Sequence, residues 1–311
     1  MLIFSQGESV IMNTRDLEYF IKLTELKNFS KVAHEFKVSQ PTITFALRRL
    51  EEELNAKLII RFRAQKQLII TDSGQQLIKH AKNILQNYAL LKKEITQAHL
   101  QKLNLGLPPI IENRYFPLIA KNLKQDHLLN KIETREYGSK TTLQALQNGS
   151  IDLALLASID PLSDPNIQTQ EFDRQPFAIF VSANHALAQK KEAYFKDLKN
   201  EDFVLFKDGF IHNQAFSLLA SRNHFRPKVI FRSNGTHSLM NLIAKGIGIG
   251  FLTAVVDPPE NIVKVNLLDK DVPHFVTSIA YRRSHIFNPL QEKILNSIQA
   301  SLFSESSSAK S

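Results

Sequence analysis

Gly246, Gly248 and Gly250 have the alternating spacing of a phosphate-cradling loop. Such loops run from a strand into a helix, so that free N–H groups at the helix start meet the phosphate. Here a helical pattern runs into the strand-like GIGFL, the reverse order, and the glycines read as a tight turn with close packing. The ten histidines are scattered, and no two stand in the His-x-x-x-His spacing of a helical metal site. No Gly-x-Ser-x-Gly elbow occurs. The absence of cysteine removes thiolate catalysis, disulfides and Cys-ligated metal centres. No enzyme, no cofactor and no metal site is expected, and a reducing cytoplasm is the expected compartment. The chemistry that remains is electrostatic. Lys and Arg number 39 against 30 Asp and Glu, a net charge of +9 that points to a polyanionic partner. Residues 1–100 hold 15 basic and 10 acidic side chains, and between Asn55 and Thr71 the cations Lys57, Arg61, Arg63 and Lys66 meet no acid. That segment reads as a phosphate-facing surface or as a solvated cationic loop.

The elements around it favour the first reading. Leu17, Phe20, Ile21 and Thr24 follow helical spacing behind a cap at Asn13 or Thr14. Ser30 is positioned to cap a second, very short helix that carries Val32, Ala33 and Phe36 inward. A third begins at Ser39 with Pro41 in its first turn and puts Ile43, Leu47, Leu50 and Leu54 on one face. Pro41, Thr44, Phe45, Arg48 and Glu52 fall opposite that stripe. A short helix, a tight turn and a second helix with small polar side chains outward is a helix-turn-helix, whose second helix enters the major groove of double-stranded DNA. Two strands, Lys57 to Arg63 and Lys66 to Thr71, add a wing that can lay Arg61 or Arg63 along phosphates or into the minor groove. A generic three-helix bundle with a solvated face is the plain alternative.

Asp72 and Gln75 have capping-box spacing and open a helix to about Leu100. Leu77, Ala81, Ile84, Tyr88, Leu91 and Ile95 recur at alternating steps of four and three, the period of a seam for a partner helix. A homodimer, or a homotetramer built from it, is expected.

The stretch RDLEYFIKLTELKNFSKVAHEFKVSQPTITFALRRLEEELNAKLIIR, then LIITDSG and the long helix, resembles the N-terminal half of LysR-type transcriptional regulators. The SQP start of the third helix, its RRLEEEL ending and the T-x-x-G entry to the linker carry the resemblance, and the wording is most similar to the malolactic-regulator subgroup. The resemblance implies base-reading positions at Gln40, Pro41, Thr44 and Phe45, with Thr42 beside them, and phosphate or wing contacts at Ser39, Arg48 and Arg63. Many members carry Arg where this chain has Phe45, which favours apolar contact with a thymine methyl there.

From Leu103 short strands and helices alternate, an α/β rhythm forming two lobes. Between Ala183 and the FVLF strand the sequence reads as a lysine-rich surface helix. By resemblance this half is similar to periplasmic binding proteins, with an effector cleft between lobes and crossings near Arg174 and Ser278. Ligands of open α/β sheets bind beyond the carboxyl ends of strands, where helix N-termini supply N–H groups. The expected cleft residues are Pro108, Pro109, Ser139, Lys140, Thr141, Phe206, His212, Asn234 and Thr236. Pro108 and Pro109 replace a customary hydroxyl donor, while Lys140 beside a helix start suits a small organic acid such as L-malate. The expected fold class is thus multi-domain: an all-α winged helix-turn-helix over residues 12–71, a dimerising linker helix over 72–100, and an α/β two-lobe, periplasmic-binding-protein-like domain over 101–303. Lobe I takes about 103–173 and 279–303, lobe II about 174–278, and the polar tail 304–311 is expected to be disordered. Met12 is the expected natural start, no segment is apolar enough to span a membrane, and RNA polymerase is a further expected partner. The reading from another class is an enzyme or solute-binding protein that uses the two-lobe fold.

Overall fold

The computed structural model describes residues 12–62, 67–98 and 101–303. Residues 1–11, upstream of the expected start at Met12, the expected wing tip with Arg63 and Lys66, the expected end of the linker helix at Leu100 and the tail 304–311 lie outside the described residues. The chain divides into two compact units, Met1–Thr96 and Gln97–Ser311.

In the first unit, α1 (Thr14–Leu26), α2 (Phe29–Glu35) and α3 (Gln40–Glu53) each start where a short polar side chain accepts an otherwise unpaired N–H. Asn13 accepts from the Asp16 N–H at 2.9 Å, Asn28 from that of Lys31 at 3.0 Å and Ser39 from that of Thr42 at 3.4 Å. The cap of α2 is therefore Asn28 and not Ser30. Lys27 turns left-handed at φ 49°, which ends α1 and leaves Asn28 extended to cap at once. Leu17, Phe20, Val32, Ile43 and Leu50 form the shared core, each contributing roughly 1.5–3 kcal/mol by leaving water.

The ending of α3 fastens this unit. Arg49 grips the buried Asp16 of α1 through both carboxylate oxygens, and removing Arg49 would strand that carboxylate at a cost of roughly 3–5 kcal/mol. Glu51 accepts from the Leu58 N–H at 3.0 Å and pairs with Lys57 at 2.7 Å, fixing the entry to β1 (Ile59–Phe62). β1 pairs antiparallel with β2 (Gln67–Ile70), Ile59 opposite Ile70. The long helix α4 (Asp72–Ala98) follows. Its cap is Thr71, one residue before the expected Asp72. The Thr71 hydroxyl donates to the Lys57 carbonyl at 2.6 Å and accepts from the Gly74 N–H at 3.0 Å. Gly74 lies so close to strand β1 that a Cβ there would collide with the Leu58 carbonyl oxygen.

The second unit begins with β3 (Leu103–Leu107), α5 (Pro109–Gln125), β4 (Ile132–Glu136), α6 (Ser139–Gln147) and β5 (Leu153–Ser158). β6 (Ile167–Ser182) then runs through both lobes. After β7 (Glu192–Ala193) come β8 (Asp202–Phe206), α7 (Ile211–Arg222), β9 (Lys228–Ser233), α8 (Thr236–Ala244), β10 (Ile249–Thr253), β11 (Ile262–Leu267), β12 (His274–Arg282) and α9 (Pro289–Phe303). The strand order is β4-β3-β5-β12-β6 in lobe I and β6-β10-β8-β9 in lobe II, with β11 also on β6. β6 pairs with β12 up to Pro176 and with β10 from Phe177, so the chain crosses between lobes on one unbroken strand. The expected surface helix after Ala183 is instead two single 3-10 turns, Ala186–Gln189 and Phe195–Leu198, flanking β7. Lys191 at φ 58° interrupts any helix there, and the Phe195 N–H is held by Asp269 at 2.7 Å.

Along β5, Leu153 and Leu155 join the core under α5 and α9, whereas Ala154 and Leu156 join the core under α6. The two helices therefore lie on opposite faces of the lobe I sheet. In lobe II, Phe251 of β10 packs on Phe216 of α7 and Gly250 lies against Ile243 of α8, again on opposite faces. Gly246, at φ 67°, ends α8, and Gly248 leaves no room for a Cβ beside the Asp202 backbone.

Candidate DNA interface and ligand cleft

The capping geometry of α3 decides which side chains leave the protein surface. Ser39 accepts from the Thr42 N–H and shares a hydrogen bond of 2.9 Å with the Thr42 hydroxyl. Gln40 and Pro41 are exposed at the helix start, Thr42 and Thr44 are half-buried, and Arg48 is exposed with its guanidinium 2.6 Å from Glu52. Phe45 stands 57% exposed on this otherwise polar face. A phenyl ring left in water among short polar groups marks a contact surface rather than a core position. Of the two wing arginines, Arg61 lies over the Phe29 ring at 3.5 Å, which ties the hairpin to the start of α2. Arg63 lies outside the described residues. The structure thus gathers Ser39, Gln40, Pro41, Thr42, Thr44, Phe45 and Arg48 on one helix end.

The six seam positions of α4 divide. Leu77 and Ala81, 9% and 0% exposed, are packed into the core of their own unit. Ile84, Tyr88, Leu91 and Ile95 are exposed, the last two by 49% and 58%. They form an apolar stripe one side chain wide.

The lobes of the second unit face each other with their helix starts. Gly138, before α6, and Gly209, before α7, approach so that a Cβ on Gly138 would lie 3.2 Å from the Gly209 carbonyl oxygen. Ser139, Lys140 and Thr141 sit at this mouth. Ser139 already accepts from the Ala157 N–H at 3.3 Å, while Lys140 and Thr141 are exposed. Pro108 is buried at the start of α5 and Pro109 is half-buried. Phe206 is fully buried and stacks on Phe210. His212 is 3% exposed within a cage of Phe177, Phe206 and Phe275. Burial pushes its pKa down to about 3, so the ring is neutral at pH 7. Asn234 is exposed, and Thr236 starts α8. Among the described residues, both His212 ring nitrogens and the buried hydroxyls of Ser158 and Thr236 have no hydrogen-bond partner.

On the opposite face, α5 and α8 flank a cavity of about 740 Å³. Thr236 is the one expected cleft residue that lines it. Arg114, His237, Asn241 and Asp257 line it too, and sequence reading misses them. Arg114 and His237 carry the only local signal, charge or imidazole in the early turns of helices that follow strands. At the crossing, the Tyr115 hydroxyl donates to Asp173 at 2.6 Å. Burial and that carboxylate raise the phenol's pKa. Among the described residues no group of three or more His, Cys, Asp or Glu is placed to hold a metal, and no helix is long and apolar enough to cross a membrane.

Comparisons with known proteins match both units. Residues 14–75 match the model of the bacterial regulatory helix-turn-helix proteins of the lysR family, and residues 97–302 match the LysR substrate binding domain. The malolactic fermentation system transcriptional activator of Lactococcus lactis is 32% identical over 288 residues, 91% of this chain and 97% of that protein. The crystal structure of full-length BenM shares the fold, with a TM-score of 0.54 at 23% identity over 96% of this chain and 98% of that one. The effector binding domain of QuiR in complex with shikimate matches with a TM-score of 0.55 at 16% identity, over 63% of this chain and 94% of that one. A DNA-reading helix, a linker helix and a two-lobe α/β domain occur here in the order those matches require, and the chain belongs to the LysR family of transcriptional regulators, with an N-terminal helix-turn-helix and a C-terminal effector-binding domain.

Proposed function

We propose that the chain, acting in the cytoplasm, reads its operator through Gln40, Pro41, Thr42, Thr44 and Phe45 in the major groove. Ser39, Arg48, Arg61 and Arg63 hold phosphates. Two copies pair along Ile84, Tyr88, Leu91 and Ile95, as a dimer or a pair of dimers. The effector is a small organic acid, L-malate or a close relative, bound at the mouth between α6 and α7 with Lys140 as counter-charge. Its binding changes the lobes' relative placement and so the contact with RNA polymerase.

The observation that carries the effector reading is the set of unpaired buried groups, Ser158 Oγ and the two His212 ring nitrogens, at strand and helix ends of the two lobes. A buried polar group without a partner costs about 1–3 kcal/mol, and a ligand rich in hydroxyl and carboxylate oxygens relieves that cost. The L. lactis relative's part in malolactic fermentation supports malate as the first acid to try. Calorimetric titration of the full chain with malate, citrate and succinate tests it. Saturable heat with malate that Lys140→Ala abolishes is the expected result. No heat from any of the three at millimolar concentration would remove the organic-acid reading and leave DNA binding untouched.

A further inference from the structure

The cavity between α5 and α8 opens on the sheet face opposite Lys140 and is built from both lobes. Lobe I contributes Ile110, Asn113 and Arg114 of α5. Lobe II contributes the start of α8 and the loop after β10. At about 740 Å³ it lies within the roughly 300–1,000 Å³ of small-molecule sites.

Its lining is divided in a way that specifies a ligand. Ile110, Met240 and Val255 form a buried apolar wall. Arg114 is a cation that makes no ion pair among the described residues, and Asp257, from the other lobe, is an anion in the same condition. The Thr236 hydroxyl, buried and unpartnered, also belongs to this cavity, as do the amides of Asn241 and Asn261. A guanidinium offers paired donors that match a carboxylate. An aspartate on the facing lobe accepts from an ammonium or a hydroxyl.

We propose that this cavity is a second ligand site, separate from the organic-acid mouth at α6, and that it takes a small carboxylate with an apolar body and a hydrogen-bond donor on the carbon next to the carboxyl. An apolar amino acid is the fullest match: carboxylate on Arg114, ammonium on Asp257 and Thr236, side chain against Ile110, Met240 and Val255. Such a ligand bridges unpaired charges of the two lobes and so draws them together. It is also read at the crossing, because Tyr115, next to Arg114 on α5, is bonded through its hydroxyl to Asp173 of β6 at 2.6 Å.

The test is titration calorimetry on the full chain with three probes of one shape: L-leucine, 2-hydroxy-4-methylpentanoate and 4-methylpentanoate. The expected order of affinity is leucine, then the hydroxy acid, then the unsubstituted acid. Arg114→Gln, at an exposed position, weakens all three by about tenfold or more, as the loss of a charge-assisted hydrogen bond requires. Asp257→Asn weakens leucine alone, and Ala244→Leu, which narrows the cavity, weakens all three. Absence of saturable heat with every probe at millimolar concentration overturns the site. Equal losses in Lys140→Ala and Arg114→Gln, or displacement of leucine by malate, place the ligand at the α6 mouth and also overturn it. A change in sedimentation of ligand-free Arg114→Gln assigns the surface to a contact between copies and likewise overturns the site. Malate heat that persists while the leucine series is silent separates this failure from failure of the organic-acid reading.

Discussion

In the proposed interface Thr44 and Arg63 act on different parts of the duplex. If the short Thr44 hydroxyl on the outward face of α3 meets a base edge, as proposed, Thr44→Ala should cost about 1–3 kcal/mol on the operator and little on random sequence. Arg63 is proposed to neutralise a phosphate without reading a base. Arg63→Ala should therefore weaken every sequence alike and lower the slope of log affinity against log salt by about 0.9. Mobility-shift titrations at several salt concentrations separate the two, and a sequence-selective loss for Arg63→Ala with an unchanged slope would sink the phosphate assignment. His212 makes a prediction of another kind. Burial in its phenylalanine cage holds its pKa at about 3 in the fold, while an unfolded histidine titrates at about 6.5. Above roughly pH 6.5 neither state binds the proton and the full stability is present. As pH falls from there toward 3, the unfolded chain takes up a proton that the fold excludes, and stability drops by up to about 1.4 kcal/mol per pH unit. His212→Leu removes that proton uptake. Thermal unfolding at pH 7 and pH 5 should show a smaller fall in Tm for the variant, and an equal fall would mean that the ring is already hydrated in the fold.

Helix α4 shows at element scale what a sequence pattern does and does not contain. The alternating steps of four and three from Leu77 to Ile95 describe one continuous stripe, but they do not say which part of it meets the helix's own unit. Leu77 and Ala81 are consumed by the core of α1 to α3, and only the stripe from Ile84 onward is left for another copy. Two substitutions follow from the division. Ala81→Leu forces extra volume into a packed core and should destabilise the first unit by about 1–3 kcal/mol with no change in assembly. Leu91→Asp places a charge on the exposed stripe and should dissociate the pair with no loss of monomer stability. Sedimentation velocity and chemical unfolding read the two effects separately, and wild-type sedimentation by Leu91→Asp would show that the stripe pairs with nothing. The other elements divide likewise. Caps and apolar periodicity make α1, α3 and the alternating strands of the second unit legible, because those signals are local. β6 is legible only from Phe177, because IQTQEFDRQP before it is polar and ends in proline. That segment is a strand through its pairing with β12, a long-range contact with no local trace, and Pro176 is tolerated where the strand passes from one sheet to the other. The cavity of Arg114 and Asp257 leaves no local trace for the same reason: it joins residues of two lobes far apart in sequence.

At the scale of the whole molecule, the family marks in the sequence turn out to be mostly structural. Arg49 holds Asp16, Glu51 holds the start of β1, and Thr71 with Gly74 locks α4 against that strand. Those contacts tie α1, α3, β1 and the start of α4 together within the first unit, which couples the orientation of α3 to that of the exposed stripe. Pairing two copies along that stripe fixes a two-fold relation between their reading helices, and the DNA must present its half-sites on matching faces. Inserting about 5 base pairs between the half-sites turns one of them to the far side of the duplex, whereas inserting about 10 restores the face at a longer distance. The half-turn insertion should therefore lose more affinity than the full-turn insertion, in a footprinting titration of the full chain. Leu91→Asp, as separated copies, should bind all three spacings equally and weakly, since each copy then engages one half-site alone. Equal losses for the two insertions in the wild type would mean that the heads are joined flexibly, and that the path from α3 through Thr71 to the stripe does not set the spacing of the operator.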